Sequence, residues 1–340
     1  MENLILYLSK VFGPKKVETM ESTKPVQNEN DLRILIESAG LTKSAAQINR
    51  KVRTCIYLIA GELIGEMPLG CTRLGGLPDL PEGTQWPCDG AKVPHIFFGQ
   101  FDLKEIYSKV GATELPKSGL ISLFAGGSFG IGDEPDVRIY YSPVNTSLHR
   151  VQMPDGYRKR QLNPISVSFE KGLMLPTDNF EFLASLEERI PECDIDLLTD
   201  KINESPVGTV GQLLGYAVTA QTDRQRAIVF RKMGYPNKEN LMQWSDWDSW
   251  QAAKRMETKL ANGSIYRPWL SDDDDVVRWI HNNRADIEEQ TESLRMLFGV
   301  ESNKLMNLWI NDADPIHFFI DSHALQNCDF AGTMAITGQS

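Results

Sequence analysis

Apolar positions change their period several times along this 340-residue chain. Leu4, Ile5, Leu8, Val11 and Phe12 fall at helical spacing and predict a short amphipathic helix over Met1–Phe12. Gly13–Asn30 carries Pro, Lys, Glu, Thr and Asn without apolar periodicity and reads as a linker, so the folded body is expected from about Asp31. Helices are predicted over Asp31–Ser38 and Thr42–Lys51. The pattern then shifts to runs of β-branched, aromatic and leucine residues between turn formers. This predicts strands at Thr54–Ala60, His95–Phe101, Gly119–Ala125, Val137–Ser142 and Ile165–Phe169. Helical spacing returns at Asn179–Arg189 and Asp194–Asn203, the second closed by Ser205-Pro206. Strands follow at Gln212–Thr219 and Ala227–Arg231. Asn240–Gly299 is helical in composition, with one helix ending near Gly263 and a second starting after Ser271 and running toward Phe298. Strands at Met306–Ile310 and Ile316–Ile320 close the chain. Strands followed by helices and strands again, with antiparallel pairing, predict an α+β fold.

One internal echo stands out. Pro94-His95-Ile96-Phe97-Phe98 is similar to Pro315-Ile316-His317-Phe318-Phe319, each followed by an acidic residue and a leucine. Either an ancient duplication or two buried strands of similar composition would produce it.

Composition narrows the classes. With 41% hydrophobic and 24% charged residues the chain is an ordinary globular protein, long enough for a large core. A net charge of −11 opposes a phosphate backbone, so no nucleic-acid partner is expected, and the one basic run, Tyr157-Arg158-Lys159-Arg160, follows a Pro-Asp-Gly turn and reads as an exposed hairpin end. Five cysteines, Cys55, Cys71, Cys88, Cys193 and Cys328, form no Cys-x-x-Cys pair, which argues against a disulfide framework and a zinc ribbon. No secretory leader and no membrane-length apolar run is legible, so a cytoplasmic protein with no membrane partner is expected, in which the sequons at Asn145, Asn203 and Asn262 carry no meaning.

The most distinctive segment runs from Gly75 to Pro87. Arg73-Leu74-Gly75-Gly76-Leu77-Pro78-Asp79-Leu80-Pro81, then Trp86-Pro87, then Phe97-Phe98-Gly99-Gln100-Phe101-Asp102-Leu103 resembles the hallmark of the YwqG-like family of uncharacterised bacterial proteins. Leu115 to Leu120, Leu213-Leu214-Gly215-Tyr216 with Gln221 and Asp223, and Trp309 to Asp314 followed by Phe318-Phe319-Ile320 continue the likeness in order. Members often carry a histidine before the Leu-Leu-Gly motif, where this chain has Gly211. The resemblance implies a large, mainly antiparallel sheet with flanking helices over residues 51–335. Residues 1–50 then form an N-terminal helical extension and linker, and about 240–298 an inserted helical pair. It also implies a role of the immunity type, in which a basic protein such as a toxin is the partner. The hallmark residues Gly75, Gly76, Pro78, Leu80, Pro81, Trp86, Pro87, Gln100, Leu214, Gly215, Gln221, Trp309 and Asp312 are expected to be architectural. Glycines permit positive φ or close approach, prolines hold Leu77 and Leu80 extended, and Trp86 caps a core.

Other constellations compete for a function. Gly126-Gly127-Ser128-Phe129-Gly130 has the spacing of a nucleophile elbow, but a turn rather than a helix follows, so it reads as a hairpin loop. Asp312, Asp314 and His317 form the best metal-ligand set for a hydrolase, with His317, Asp321 and His323 on one face if the strand continues. Asp272–Asp275 reads as charge at a helix start. Trp244, Trp247 and Trp250 recur every third residue with Asp246 and Asp248 beside them, either burying the inserted helix or forming a patch for a basic partner. No cofactor motif is present. The expected function is a non-enzymatic protein-binding module, with a metal-assisted hydrolase or a small-ligand-binding protein as alternatives.

Overall fold

One antiparallel sheet of ten strands organises the chain. It is seen in a computed structural model that describes residues 25–63, 65, 67–127, 129, 135–176, 180–217, 224–235, 274–310 and 315–337. The strands are β1 (Arg53–Leu63), β2 (Arg73–Leu74), β4 (Ile96–Asp102), β5 (Leu120–Gly126), β6 (Asp136–Ser142), β8 (Ile165–Met174), β9 (Thr209–Leu214), β10 (Leu294–Val300), β11 (Ile316–Asp321) and β12 (Met334–Thr337). Two short strands, β3 (Asp79–Pro81) and β7 (Leu148–Arg150), pair separately. With the helices below, this is the expected α+β fold.

The strand order, β12-β11-β10-β9-β1-β8-β2-β4-β5-β6, is the same path walked twice. From the central pair β1 and β8, one half steps outward through β2, β4, β5 and β6, and the other through β9, β10, β11 and β12. Each half's first strand is embedded in the other half. Local detail repeats as well. Strand β2 ends in two left-handed residues, Gly75 (φ 66°) and Gly76 (φ 76°), and β9 ends in Leu214 (φ 60°) and Gly215 (φ 82°). Arg73 and Leu74 pair with Gln100 and Gly99, just as Gln212 and Leu213 pair with Gly299 and Phe298. A single extra residue bulges at Phe98 in β4 and at Leu297 in β10. Arg73 donates to the Leu77 carbonyl and Gln212 Nε2 to that of Tyr216, each four residues on. The repeat therefore equates β4 with β10 and β5 with β11. The five-residue echo, which matches β4 with β11, joins strands that are not equivalent and reflects only similar burial.

Alternation of side chains splits the core across the two faces. One face carries Ile56, Leu58, Leu74, Leu123, Leu213 and Phe318, covered by helix α3 (Leu103–Val110) and α8 (Ser322–Gln326). Asp102 and Asp321, at the ends of β4 and β11, cap these helices through Lys104 N–H and through His323 and Ala324 N–H. The other face is covered in patches. Phe97 and Phe124 lie beneath Leu80, Trp86 and Met153. Met296, Phe319 and Ile336 lie beneath α6 (Arg224–Lys232) and α7 (Asp274–Ser293). On the first face, at and beyond the end of β8, Leu173 and Leu175 pack with α1 (Glu29–Ser38), α2 (Ala45–Lys51), α4 (Phe180–Arg189) and α5 (Ile195–Ile202).

Several elements differ from the sequence expectation. Ala227–Arg231 is helical, within α6; Ala227, Ile228, Val229 and Phe230 are all buried, so a helix enclosed on every side shows the continuous apolar run of a strand. Leu294–Phe298 is not the end of a helix but most of β10, entered without a breaker. Met306–Ile310 is not a strand: reciprocal bonds between Asn303 and Leu308 close a loop around Asn307 at φ 56°. Arg158–Arg160 is a 3-10 turn between β7 and β8, which do not pair, rather than a hairpin end. The Met1–Phe12 helix and the first inserted helix lie outside the described residues.

Candidate functional site

The hallmark segment closes around one buried carboxylate. Asp79 is fully buried and is held from several sides. Arg73 Nη1, Gly70 N and Gln100 Nε2 each donate to Oδ2 at 2.9 Å, and Arg150 Nε donates to Oδ1 at 2.9 Å. Gln100 also accepts Asp79 N–H at 2.8 Å, and Arg150 reaches the Met67 carbonyl at 2.9 Å. Burial alone would raise the Asp79 pKa, but the bonds from Arg150 and Arg73, the Arg73 charge and the Gly70 N–H hold it below the usual carboxylate range. Trp86, on the same face, donates Nε1–H to the His95 carbonyl at 2.9 Å and stands edge-on to Phe97 and Phe124. Pro78 and Pro87 offer carbonyls to Val151 and His95. Both carboxylate oxygens of Asp79 accept charge-assisted bonds from buried or half-buried donors, so this constellation fixes backbone rather than presenting a base.

In the second half the equivalent place is open. Pairing aligns Tyr57, Gln212, Gly299 and His317 in one row across β1, β9, β10 and β11. A cavity of about 100 Å³ lies over this row, walled also by Met174, Asn203, Ser205, Thr209, Glu301 and Pro315. Gln212 stands where Arg73 stands in the first half, and Gly299 where Gln100 stands. A Cβ at Gly299 would lie 2.9 Å from the His317 ring, so absence of a side chain there is what leaves the room. His317 Nδ1 is buried without a hydrogen bond, and the Tyr57 hydroxyl is buried against the Cys55 thiol. Burial drives the Tyr57 phenol pKa far up, with the neighbouring Cys55 thiol, itself pushed up to about 12 by burial, adding to it. Burial and the Arg224 charge drive the His317 imidazole well below its ordinary value. At the mouth, partial desolvation of its carboxyl moves the Glu301 pKa upward.

His317 makes stability pH-dependent. Between its folded and unfolded pKa values the unfolded chain binds the extra proton, so stability is full above about pH 6.5 and falls as pH drops, by about 1.4 kcal/mol per unit. Urea melts at pH 7 and pH 5 should show this loss in the wild type and a smaller one in His317→Asn.

The remaining predicted residues fall as follows. Leu80, Trp86 and Gln100 are buried, as are Gly75 and Gly76, which close against Asn163 and Pro164. Leu214 and Gly215 close β9. Gly126 pairs with Asp136 at the end of the antiparallel β5–β6 ladder, and Ser128 and Gly130 lie outside the described residues. Strand β11 stops at Asp321, whose carboxylate caps α8, and His323 sits on that helix. The expected shared face of His317, Asp321 and His323 therefore does not form. Asp312, Asp314, Gln221, Trp244, Trp247, Trp250, Asp246 and Asp248 lie outside the described residues. Among those described, no group of three His, Cys, Asp or Glu is placed to hold a metal ion, and no helix is long and apolar enough to cross a membrane. Sequence reasoning assigned no role to Asp79, Arg150, Tyr57 or Glu301; Asp79 and Arg150 meet across 71 positions.

Beside the cavity mouth runs an apolar rim. It follows one end of three neighbouring strands, β10, β9 and β1. Trp309 and Leu305, in the loop after β10, are 67% and 46% exposed, Val207 before β9 is 91% exposed, and Leu63 at the end of β1 is 61% exposed. The segments are tied together. Glu301 N–H donates to the Val210 carbonyl, Ala60 N–H to that of Gly208, and Asn163 bonds Leu305 and Met306. Leu63 pairs with Ile165. Glu62 and Glu301 are exposed along the rim, with Lys304 the opposing charge.

A family model described as a domain of unknown function, DUF1963, matches residues 72–337. The match begins after β1, although β1 lies at the centre of the sheet. No curated protein matches the chain.

Proposed function

Because the chain belongs to the YwqG-like family, the proteins with the DUF1963 domain of unknown function, we propose a role taken from its own surface: it is a non-enzymatic protein-binding module. The observation that carries this is the rim of Trp309, Val207, Leu63 and Leu305 across three adjacent strand ends. Scattered exposed apolar residues are ordinary; a run of them with an exposed tryptophan has the make-up of an interface anchor. The partner is a basic protein. The chain carries a net charge of −11, and Glu62 and Glu301 flank the rim, so charge complementarity favours a positive surface.

A photo-crosslinking residue at Val207, with one at Tyr107 on α3 as a distant control, tests this in the cell of origin. The expected result is a covalent adduct with a basic protein at Val207 and none at Tyr107. With that partner purified, Trp309→Ala should weaken binding at least about 30-fold, the loss of a 2 kcal/mol anchor, and Glu301→Lys should weaken it further at low salt than at high. Equal adducts at both positions, an acidic partner, or an adduct only with a second copy of the chain would overturn the proposal.

A further inference from the structure

We infer that the cavity over β9, β10 and β11 receives an arginine side chain, whose guanidinium pairs with Glu301 at the mouth and bonds to Thr209. This rests on the rim as a docking surface only for the source of the arginine, which is the basic partner. Strand register decides which side chains face the space. Gly299 and Glu301 flank Val300, which is buried in the core of the opposite face, so Glu301 shares the cavity face with Gly299. The Glu301 N–H still bonds the Val210 carbonyl, which carries the strand direction through it. On β9, Thr209 stands opposite Ile59, which packs beside Tyr57 on that same face. Tyr57, Gln212, Gly299 and His317 thus form the floor, and Thr209 and Glu301 lie one row outward, at the mouth.

The mouth offers acceptors. The Glu301 carboxylate has no hydrogen-bond or ion-pair partner among the described residues, and desolvation alone moves its pKa upward. Thr209 gives its hydroxyl proton to the Pro206 carbonyl at 2.7 Å and keeps lone pairs to offer. Nearby donors are spent, Gln212 Nε2 on the carbonyls of Leu214 and Tyr216 and the Asn203 amide on that of Leu175. His317 is neutral, and the cation that acts on it, Arg224, belongs to α6, which covers Met296 and Phe319 toward the other end of β10 and β11. A partly desolvated carboxylate without a counter-ion favours a visiting cation. Size and shape select the guanidinium. The cavity holds about 100 Å³, and one water needs roughly 10–15 Å³ on this measure, so about four to eight non-hydrogen atoms fit. That is a guanidinium with its last methylenes, which leaves the backbone of its owner outside, beside Val207, two residues from Thr209. A planar fork reaches Glu301 and Thr209 together, whereas an ammonium is a single point of charge.

Amide NMR titration of the full chain at low salt tests the site, with Nα-acetyl-arginine amide as probe and its citrulline and lysine analogues as controls. The arginine probe should bind saturably and shift the Gly299 and Glu301 amides. The citrulline analogue, neutral and equal in shape, should bind at least about tenfold more weakly, and the lysine analogue more weakly than arginine. Glu301→Gln, a surface change, should weaken the arginine probe at least about tenfold, whereas Trp309→Ala should leave it unchanged. Absence of saturation, equal binding of citrulline, or unchanged affinity in Glu301→Gln would overturn the site. The rim is scored separately. A partner crosslinked at Val207 whose affinity ignores Glu301→Gln removes the arginine site and leaves the rim, and saturable arginine binding without an adduct at Val207 does the reverse.

Discussion

Asp79→Ala will destabilise the protein by about 3–5 kcal/mol, read as a fall in the urea midpoint at pH 7. The loss does not measure an attractive pair. It arises because removing the carboxylate strands the guanidinium of Arg73, 3% exposed, and unties that of Arg150, while the Gly70 N–H and the Gln100 amide lose their acceptor. The pH dependence identifies the carboxylate as the cause. The folded pKa of Asp79 is depressed, so its contribution is present above the unfolded value of about 4 and is lost as pH falls through the folded pKa. The gap between wild type and Asp79→Ala should therefore be constant from pH 7 to about pH 5 and narrow in stronger acid. Glu37→Ala, which breaks the exposed Arg33–Glu37 pair, should cost under about 0.5 kcal/mol in the same assay.

What could be read in the sequence follows from what each signal depends on. Strands β4, β5 and β11 were legible because their apolar runs are bounded by turn residues, and α1 and α5 because their buried positions recur at helical spacing. Helix α6 was not, because burial on all sides erased its periodicity. The hallmark segment was visible as glycine and proline, yet its purpose was not: Arg150 lies 71 positions from Asp79 and Gln100 lies 21 away. Only pairing β3 with β7 and seating β3 above β4 brings them together. The cavity was still less legible, since four strands contribute its row. The repeat hides for a related reason. Equivalent positions hold different residues, Arg73 against Gln212 and Gln100 against Gly299, so connectivity survives where identity does not. A signal was nonetheless present in two of the quoted motifs, Leu74-Gly75-Gly76 and Leu213-Leu214-Gly215, which mark the same bend in the two halves.

That bend gives the second large effect: Gly75→Ala should cost at least about 3 kcal/mol in a urea melt. Its φ of 66° accounts for only about 1 kcal/mol. Leu214 takes the equivalent position at φ 60° with a buried leucine side chain, so the left-handed backbone by itself tolerates a Cβ in this fold. The difference lies in what stands opposite. A Cβ on Gly75 would be 2.3 Å from the Asn163 carbonyl oxygen and 3.1 Å from Leu162 Cβ. The turn cannot slide away, because Gly75 N–H is bonded to Phe98 O and Gly76 N–H to Leu162 O, each at 2.9 Å. The approach of β2 to the segment entering β8 would have to open, loosening the strand that carries Arg73 toward Asp79. Gly83→Ala is the control. Its φ is 85° and nothing lies within 4 Å of the added carbon, so only the conformational cost of about 1 kcal/mol should appear. Equal losses at the two positions would mean that backbone conformation alone, and not close packing against Asn163, demands glycine at Gly75.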